Sequence, residues 1–404
     1  MSYENVLKYR DQVYRCNTCC RCPRGPWEPN QPDILPTPAK QCPIFEAHES
    51  LASSSHGHYL IIRDLLEGKL EASPALVDHM YECLLCRGCN AVCEGMDILP
   101  LGSLECAQIF RALRADFVDM GIAPPAGIKK FTDLIAETHS RQGVTKKART
   151  SWAEGLNIKD GGEIIIFAGC TAAYQDNSSV VSLAKVLKAA DVDFGLFQDE
   201  WCCGALQYDC GLDNAFETSA QHNVAAIKAT GAKRVVVTCA DCYRALNDYP
   251  QFVGELPFEI IHSSELILEL INDGKIKLSS VDLGGIGTYQ DPCFLARANQ
   301  RGGKVIINEP RKVLDAIPGV EWKDMEGFGK YTYCCGRPIT APASRRTYEK
   351  TGLARIGDAQ EIDAKTIVTG CANCKTSLKS AAGKAEANIR VVDLAELIAE
   401  SMAL

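Results

Sequence analysis

Hydrophobic residues change their rhythm once along this chain. In the first 140 residues, strand-like alternation is sparse and helical spacing prevails. Ser73-Pro74 is an N-cap and first-turn pair that predicts a helix through Leu76, Val77 and Met80 toward Cys83. A second helix is predicted to begin near Ser103. Leu104, Ile109, Phe110, Leu113 and Phe117 recur there at helical intervals, with Arg111, Arg114 and Asp116 between them. The stretch 141–160, with Gln142, Gly143, Lys146, Lys147 and Arg149, is polar and reads as a linker. Beyond Gly161, short β-branched runs alternate with helical patterns: a strand at Ile164-Ile165-Ile166-Phe167, a helix from Ser178 to Ala190, a strand at Arg234-Val235-Val236-Val237 and a helix from Ser264 to Ile271. That alternation is the mark of α/β construction.

The second pattern occurs twice. Cys202, Cys203, Cys239 and Cys242 recur as Cys334, Cys335, Cys371 and Cys374 at an offset of 132 residues, and Cys170 recurs as Cys293 at 123. The surroundings agree: Val237-Thr238-Cys239-Ala240-Asp241-Cys242 parallels Val368-Thr369-Gly370-Cys371-Ala372-Asn373-Cys374. Ile260-Ile261 with Glu265-Leu266-Ile267 parallels Val391-Val392 with Glu396-Leu397-Ile398. Duplication of a half-domain is the economical explanation. The expected organisation is α + α/β: a helical domain over 1–140, a linker over 141–160, and cysteine-rich repeats over 161–281 and 282–404.

Composition narrows the chemistry. The chain has 404 residues, 46% hydrophobic and 23% charged, with a net charge of -8, which argues against a nucleic-acid partner. No apolar run is long enough to cross a bilayer and the start lacks a secretion pattern, so a cytoplasmic location is expected, peripheral to the membrane only through partner subunits. In a reducing compartment, 21 cysteines read as metal ligands or catalytic thiols instead of disulfides.

Cys83, Cys86, Cys89 and Cys93 follow C-x2-C-x2-C-x3-C, the spacing of bacterial ferredoxin [4Fe-4S] sites. Cys16, Cys19 and Cys22 repeat the triplet, with the fourth cysteine displaced to Cys42 beyond an insert containing Pro23, Pro26, Pro29, Pro32, Pro36 and Pro38. In two-cluster proteins of this kind the fourth cysteine serves the other cluster. Cys16, Cys19, Cys22 and Cys93 are then expected to hold one cubane [4Fe-4S] cluster, and Cys83, Cys86, Cys89 and Cys42 the other. Cys20 competes as a ligand, and Glu94 stands where proline commonly follows.

Each repeat offers five cysteines where a cubane needs four. Cys170, Cys239 and Cys371 follow predicted strands, and ligand sites in open α/β sheets form at strand carboxyl ends. Adjacent cysteines such as Cys202-Cys203 suit two irons or a bridging thiolate better than two corners of one cube. An unusual cluster in each repeat is the inference, with zinc as chief competitor. A thioredoxin-like C-x2-C pair leaves the CCG cysteines unexplained, and haem attachment is excluded because histidine follows none of the C-x2-C pairs.

These residues carry a family resemblance. Phe167-Ala168-Gly169-Cys170, Cys202-Cys203-Gly204-Ala205, Asp291-Pro292-Cys293, Asn308-Glu309-Pro310-Arg311 and Cys334-Cys335-Gly336 resemble segments of the CCG domain of heterodisulfide reductases. Fusion to two ferredoxin motifs resembles the single-chain catalytic subunit of the cytochrome-linked form, and the glycolate oxidase iron-sulfur subunit. The resemblance implies two noncubane [4Fe-4S] clusters, one held by Cys170, Cys202, Cys203, Cys239 and Cys242, the other by Cys293, Cys334, Cys335, Cys371 and Cys374. It also implies cleavage of a small-molecule disulfide, or reduction of another two-electron acceptor, in one-electron steps. Implied partners are a flavoprotein or other redox subunits of a complex, including a membrane cytochrome subunit. One departure is Phe294, where many relatives have histidine; it implies a drier site or another substrate. The alternatives are an electron relay in a hydroxy-acid oxidase or benzoyl-CoA reductase type of flavoenzyme complex, and a non-redox metal scaffold. No flavin or nucleotide fingerprint occurs, since Gly284-Gly285-Ile286-Gly287 precedes a strand and reads as a turn.

Three cysteines remain. Cys106 reads as a small core residue, Cys210 as a packed or redox-active spare thiol, and Cys20 is unassigned. Arg297, Arg301, Arg337 and Lys375 are candidates for anionic substrate groups, weighed against a solvated basic face. His48, His56 and His58 read as surface residues of a Ser-rich loop.

Overall fold

The computed structural model describes residues 2–23, 40–94, 104–143, 149–297, 304–337 and 341–404. Up to residue 143 the described elements are helices, without a strand. The Ser73 hydroxyl accepts the Leu76 amide and opens the helix Pro74–Tyr81 as its cap. The helix Cys106–Asp119 is enclosed on nearly every side. Its Ile109, Phe110, Leu113 and Phe117 are buried, and so are Arg114 and Asp116. The two charged groups are tolerated because backbone polar atoms bond to both carboxylate oxygens of Asp116 and to both terminal nitrogens of Arg114. Arg114 donates to the carbonyls of Met80 (2.9 Å), Cys83 (2.6 Å) and Asp209 (3.0 Å). Asp116 accepts the amides of Asn5 (2.7 Å) and Val6 (2.9 Å).

Two parallel sheets follow. The first, of β1 (Ile164–Phe167), β2 (Phe194–Gly195), β3 (Arg234–Val237) and β4 (Glu259–His262), has the order β2-β1-β3-β4. The second, of β5 (Gly287–Gln290), β6 (Thr366–Thr369) and β7 (Arg390–Asp393), has the order β5-β6-β7. Ile165 faces Val235 in the first sheet, and Thr288 faces Ile367 in the second. The position of β2 is filled in the second copy by a single bridge between Gly287 and Trp322. Alternate residues go to opposite faces, and both faces are covered. Ile165, Val235, Ile367 and Val391 belong to one core, whereas Ile166, Val236, Val368 and Val392 belong to the other. The two copies therefore share their cores, and the His262 ring at the end of β4 reaches the Gly370 carbonyl just past β6 at 2.8 Å.

The helical part docks on both copies. Arg111 donates to the Tyr208 carbonyl at 2.9 Å, and Arg346 to that of Ala47 at 2.8 Å. Gly211 adopts φ +79°, and a Cβ there would lie 2.3 Å from the Ala115 amide nitrogen, so only glycine permits this approach. Among the described residues no helix is long and apolar enough to cross a membrane.

Candidate functional site

Parallel strands deliver the cysteines to one edge of each sheet. Cys170 lies in the short helix that follows β1, and Cys293 begins the one that follows β5. Cys239 and Cys371 cap the helices Ala240–Asp248 and Ala372–Lys384, directly after β3 and β6. Strand carboxyl ends and helix amino ends favour thiolate chemistry, because backbone amides and the helix dipole stabilise negative charge.

The thiols touch one another in an unbroken series. Cys170 contacts Cys202, Cys202 contacts Cys203, Cys203 contacts Cys242, and Cys242 contacts Cys239. The same order holds in the second copy, where Cys334 contacts Cys293 and Cys335, Cys335 contacts Cys374, and Cys374 contacts Cys371. Cys371 meets Cys239 across the copies, and these two thiols with Asp241 have ligand atoms all within 4.8 Å of one another. Cys334 also contacts Cys86 of the C-x2-C-x2-C-x3-C run.

The N-terminal cysteines divide into two neighbourhoods. Cys16, Cys19, Cys22 and Cys93 line one cavity, together with Cys89, Cys106, Ser55 and Tyr59. Cys42 interacts electrostatically with Cys83, Cys86 and Cys89, and Cys22 with Cys89 and Cys42, so the two neighbourhoods adjoin. Cys106 is buried, as a core residue would be, yet it also neighbours Cys89 and lines the cavity. Cys20 is exposed with its sulfur on the Thr18 carbonyl, and Cys210 is buried with its thiol pushed up to about 12 by burial.

These sets suit metal–sulfur ligation. Burial pushes the Cys83 thiol up to about 12 and holds Cys22 and Cys42 above the ordinary thiol range, so bare thiolates are disfavoured there unless a cationic centre takes the place of the protons. Neighbouring thiols act oppositely where they donate to a sulfur: Cys334 draws Cys86 down to about 6, and Cys242 followed by Cys371 draws Cys239 down to about 6. Gly169 leaves space beside the first set, since a Cβ there would come 2.7 Å from the Cys242 sulfur, at φ +72°.

One participant lies within the polar stretch read as a linker. Arg149, 1% exposed, donates to the Cys170 sulfur at 3.3 Å and to the His139 carbonyl at 3.1 Å. Glu200 lies 3.5 Å from it and accepts the Ala168 and Gly169 amides, each at 2.9 Å. Local polarity gives no hint of this burial. Asn373 is another: its side chain accepts from Thr171 at 2.7 Å and donates to Asp241 at 2.7 Å, joining the copies beside Cys239.

Several expectations need correction. Arg297, Arg337 and Lys375 form no solvated basic face, being 7%, 2% and 1% exposed. Arg297 donates to the carbonyls of Cys86 (2.8 Å), Lys330 (2.9 Å) and Thr332 (2.8 Å). Arg337 pairs with Asp209 and Asp241, and Lys375 with Asp176 and Glu396. The charges of Arg337 and Lys375 are committed to carboxylates, which removes them as free anion receptors, whereas Arg297 bonds carbonyls alone and its buried Nη2 has no hydrogen-bond partner among the described residues; Arg301 lies outside those residues. His58 is wholly buried, its ring against Phe110 and His79, and burial holds it well below the ordinary imidazole range. His48 and His56 are half-buried. Phe294 is buried beneath the guanidinium groups of Arg244 and Arg337, at 4.3 and 4.8 Å, so the position after Cys293 is an apolar platform for cations.

A duplicated parallel-sheet unit with five thiols gathered at each carboxyl edge defines a cysteine-rich domain protein, and the CCG cysteine-rich domain matches residues 164–247 and 287–379. The sequence is 30% identical over 407 residues to the D subunit of the dihydromethanophenazine:CoB–CoM heterodisulfide reductase of Methanosarcina barkeri, covering 98% of this chain and 94% of that one. It is 32% identical to the Methanosarcina mazei protein of that name, over 81% and 79% of the two chains. An EtfAB:quinone oxidoreductase of Syntrophomonas wolfei is 29% identical over 80% of this chain and 46% of its own length. The chain belongs to the CCG-domain iron–sulfur oxidoreductases, in the family of the heterodisulfide reductase D subunits.

Proposed function

We propose that this chain is the subunit of a redox complex in which a disulfide, or an equivalent two-electron acceptor, is reduced. The observation that carries the reading is the thiol series from Cys86 through both CCG sets to Cys170, which joins the ferredoxin-type part to the CCG part without a gap. In this reading Cys16, Cys19, Cys22 and Cys93 hold one cubane [4Fe-4S] cluster, and Cys42, Cys83, Cys86 and Cys89 the other. The five cysteines of each CCG copy hold a noncubane [4Fe-4S] cluster, and the units run over 1–140, 161–281 and 282–404 with a connection at 141–160. Such clusters supply one-electron steps, and a disulfide takes up two electrons and two protons to leave as two thiols. The protein's own contribution is to bury the ligands, hold them at strand ends and set positive charge beside them, Arg149 at Cys170 and Arg297 at Cys86. Electrons come from a flavoprotein or another redox subunit, with a membrane cytochrome as the alternative.

The likeness to the quinone oxidoreductase favours a second reading, an electron relay inside a flavoenzyme complex. Anaerobically purified protein, assayed for iron and for disulfide reduction with a reduced viologen dye, separates the two. About 16 irons with thiol release supports the reductase. The same iron without thiol release, together with electron exchange with a co-purifying flavoprotein, selects the relay. Zinc in place of iron sinks both.

A further inference from the structure

The two CCG copies are alike in ligands and unlike in what surrounds them. In the first copy a guanidinium reaches a ligand sulfur: Arg149 Nη1 lies 3.3 Å from Cys170 Sγ, and the side chain is 2% exposed. It is held from several directions, by the His139 carbonyl at 3.1 Å, by Glu200 at 3.5 Å and by the Tyr174 ring at 5.2 Å. Glu200 is anchored in turn by the amides of Ala168 and Gly169, the two residues before Cys170. The corresponding loop of the second copy carries Asp291 in place of Ala168. That carboxylate accepts both terminal nitrogens of Arg311, each at 2.8 Å, and the Gly329 amide at 2.8 Å. Arg311 is also paired with Asp324. In one copy the arginine is turned on a sulfur, and in the other on two carboxylates.

Reduction of a metal–sulfur centre adds one negative charge to a buried site. Hydrogen bonds to ligand sulfurs and nearby positive charge stabilise the reduced state and raise the reduction potential. Low effective dielectric magnifies the effect, and the partial offset by Glu200 leaves the directed N–H···S bond in place. We propose that Arg149 is a positioning residue that makes the first CCG set the more readily reduced of the pair. Electrons arriving beside Cys334 then collect at the set containing Cys170. The proposal rests on the reading that both copies hold iron–sulfur centres.

The test is an anaerobic redox titration of the full iron-loaded chain, followed by electron paramagnetic resonance, for wild type, Arg149→Met and Arg149→Lys. Signals are assigned to one copy or the other with Cys242→Ser and Cys374→Ser. In Arg149→Met the first-set centre is expected to become at least about tenfold harder to reduce, which for a one-electron couple is about 59 mV. The other centres keep their potentials, iron content is unchanged, and Arg149→Lys recovers part of the shift. A shift below twofold in the methionine variant overturns the proposal, as does an equal shift at every centre. Iron loss confined to the first set in both variants overturns it too, by making Arg149 a residue needed to build the site. If the wild-type chain holds no centre that depends on Cys242, iron analysis reveals this before any titration, and the underlying reading fails with it.

Discussion

Arg337, two residues beyond Cys335 in the second copy, donates from Nε to Asp241 at 3.0 Å, and Asp241 stands between Cys239 and Cys242 of the first. The same guanidinium pairs with Asp209, whose other partner is Arg244 at 2.9 Å. These four groups are 2–5% exposed, so the seam between the thiol sets is an ion network closed to water.

Cutting this network from one side should cost more than removing a pair. Arg337→Met leaves Asp241 and Asp209 short of a buried cation, a loss on the order of 3–5 kcal/mol. Thermal denaturation of the loaded protein should show a clear fall in midpoint, with part of it restored in Arg337→Met/Asp241→Asn. An unchanged midpoint in the single variant refutes the role assigned to the network.

Gly169→Ala should damage the first set selectively. The added Cβ would press on the Cys242 sulfur and impose positive φ on a non-glycine residue. The anaerobic protein is expected to lose roughly four irons while the other sites stay filled. Full iron content would show that the space beside Cys242 is not needed.

Cys106 and Cys93 line one cavity, and the ligand assignment separates them. Under the proposed assignment, which leaves Cys106 as a packed neighbour of Cys89, Cys106→Ala should keep its iron. Cys93→Ser should lose roughly four irons or replace a sulfur ligand with oxygen, visible as a changed magnetic resonance spectrum. The reverse result makes Cys106 the fourth ligand.

Acid should weaken the junction at His262. Burial holds its imidazole down to about 4, and the ring contacts the Gly370 carbonyl and the Ser264 hydroxyl, each at 2.8 Å. The unfolded chain takes up this proton near pH 6.5 and the folded chain only near 4. This group's contribution is therefore present above about pH 6.5 and declines as pH falls toward 4, by up to about 1.4 kcal/mol per unit. Urea unfolding at pH 7.5 and 5.5 should show a smaller loss in His262→Gln than in wild type. Equal losses count against the assignment.

Much of this was legible in local pattern. The β1 run Ile164–Phe167, and the three valines Val235, Val236 and Val237 of β3, have continuous β-branched or aromatic character, which suits strands covered on both faces. Cysteine spacing revealed the duplication because ligands to one centre tolerate little change in position. Neither signal reports charge burial. Arg114, Arg149, Arg337 and Lys375 look like surface residues in sequence, and each is buried where a distant carbonyl, carboxylate or sulfur meets it.

The α/β repeat, the duplicated cysteine spacing and the family could thus be read without coordinates, since these rest on short-range periodicity and cysteine spacing. The tertiary structure alone decided how the sets meet: Cys86 against Cys334, Cys371 against Cys239, and Arg149 on Cys170 where the second copy turns Arg311 on Asp291. These contacts join residues that no local pattern links, and they arise where separate elements are packed together and each buried charge has to find its partner.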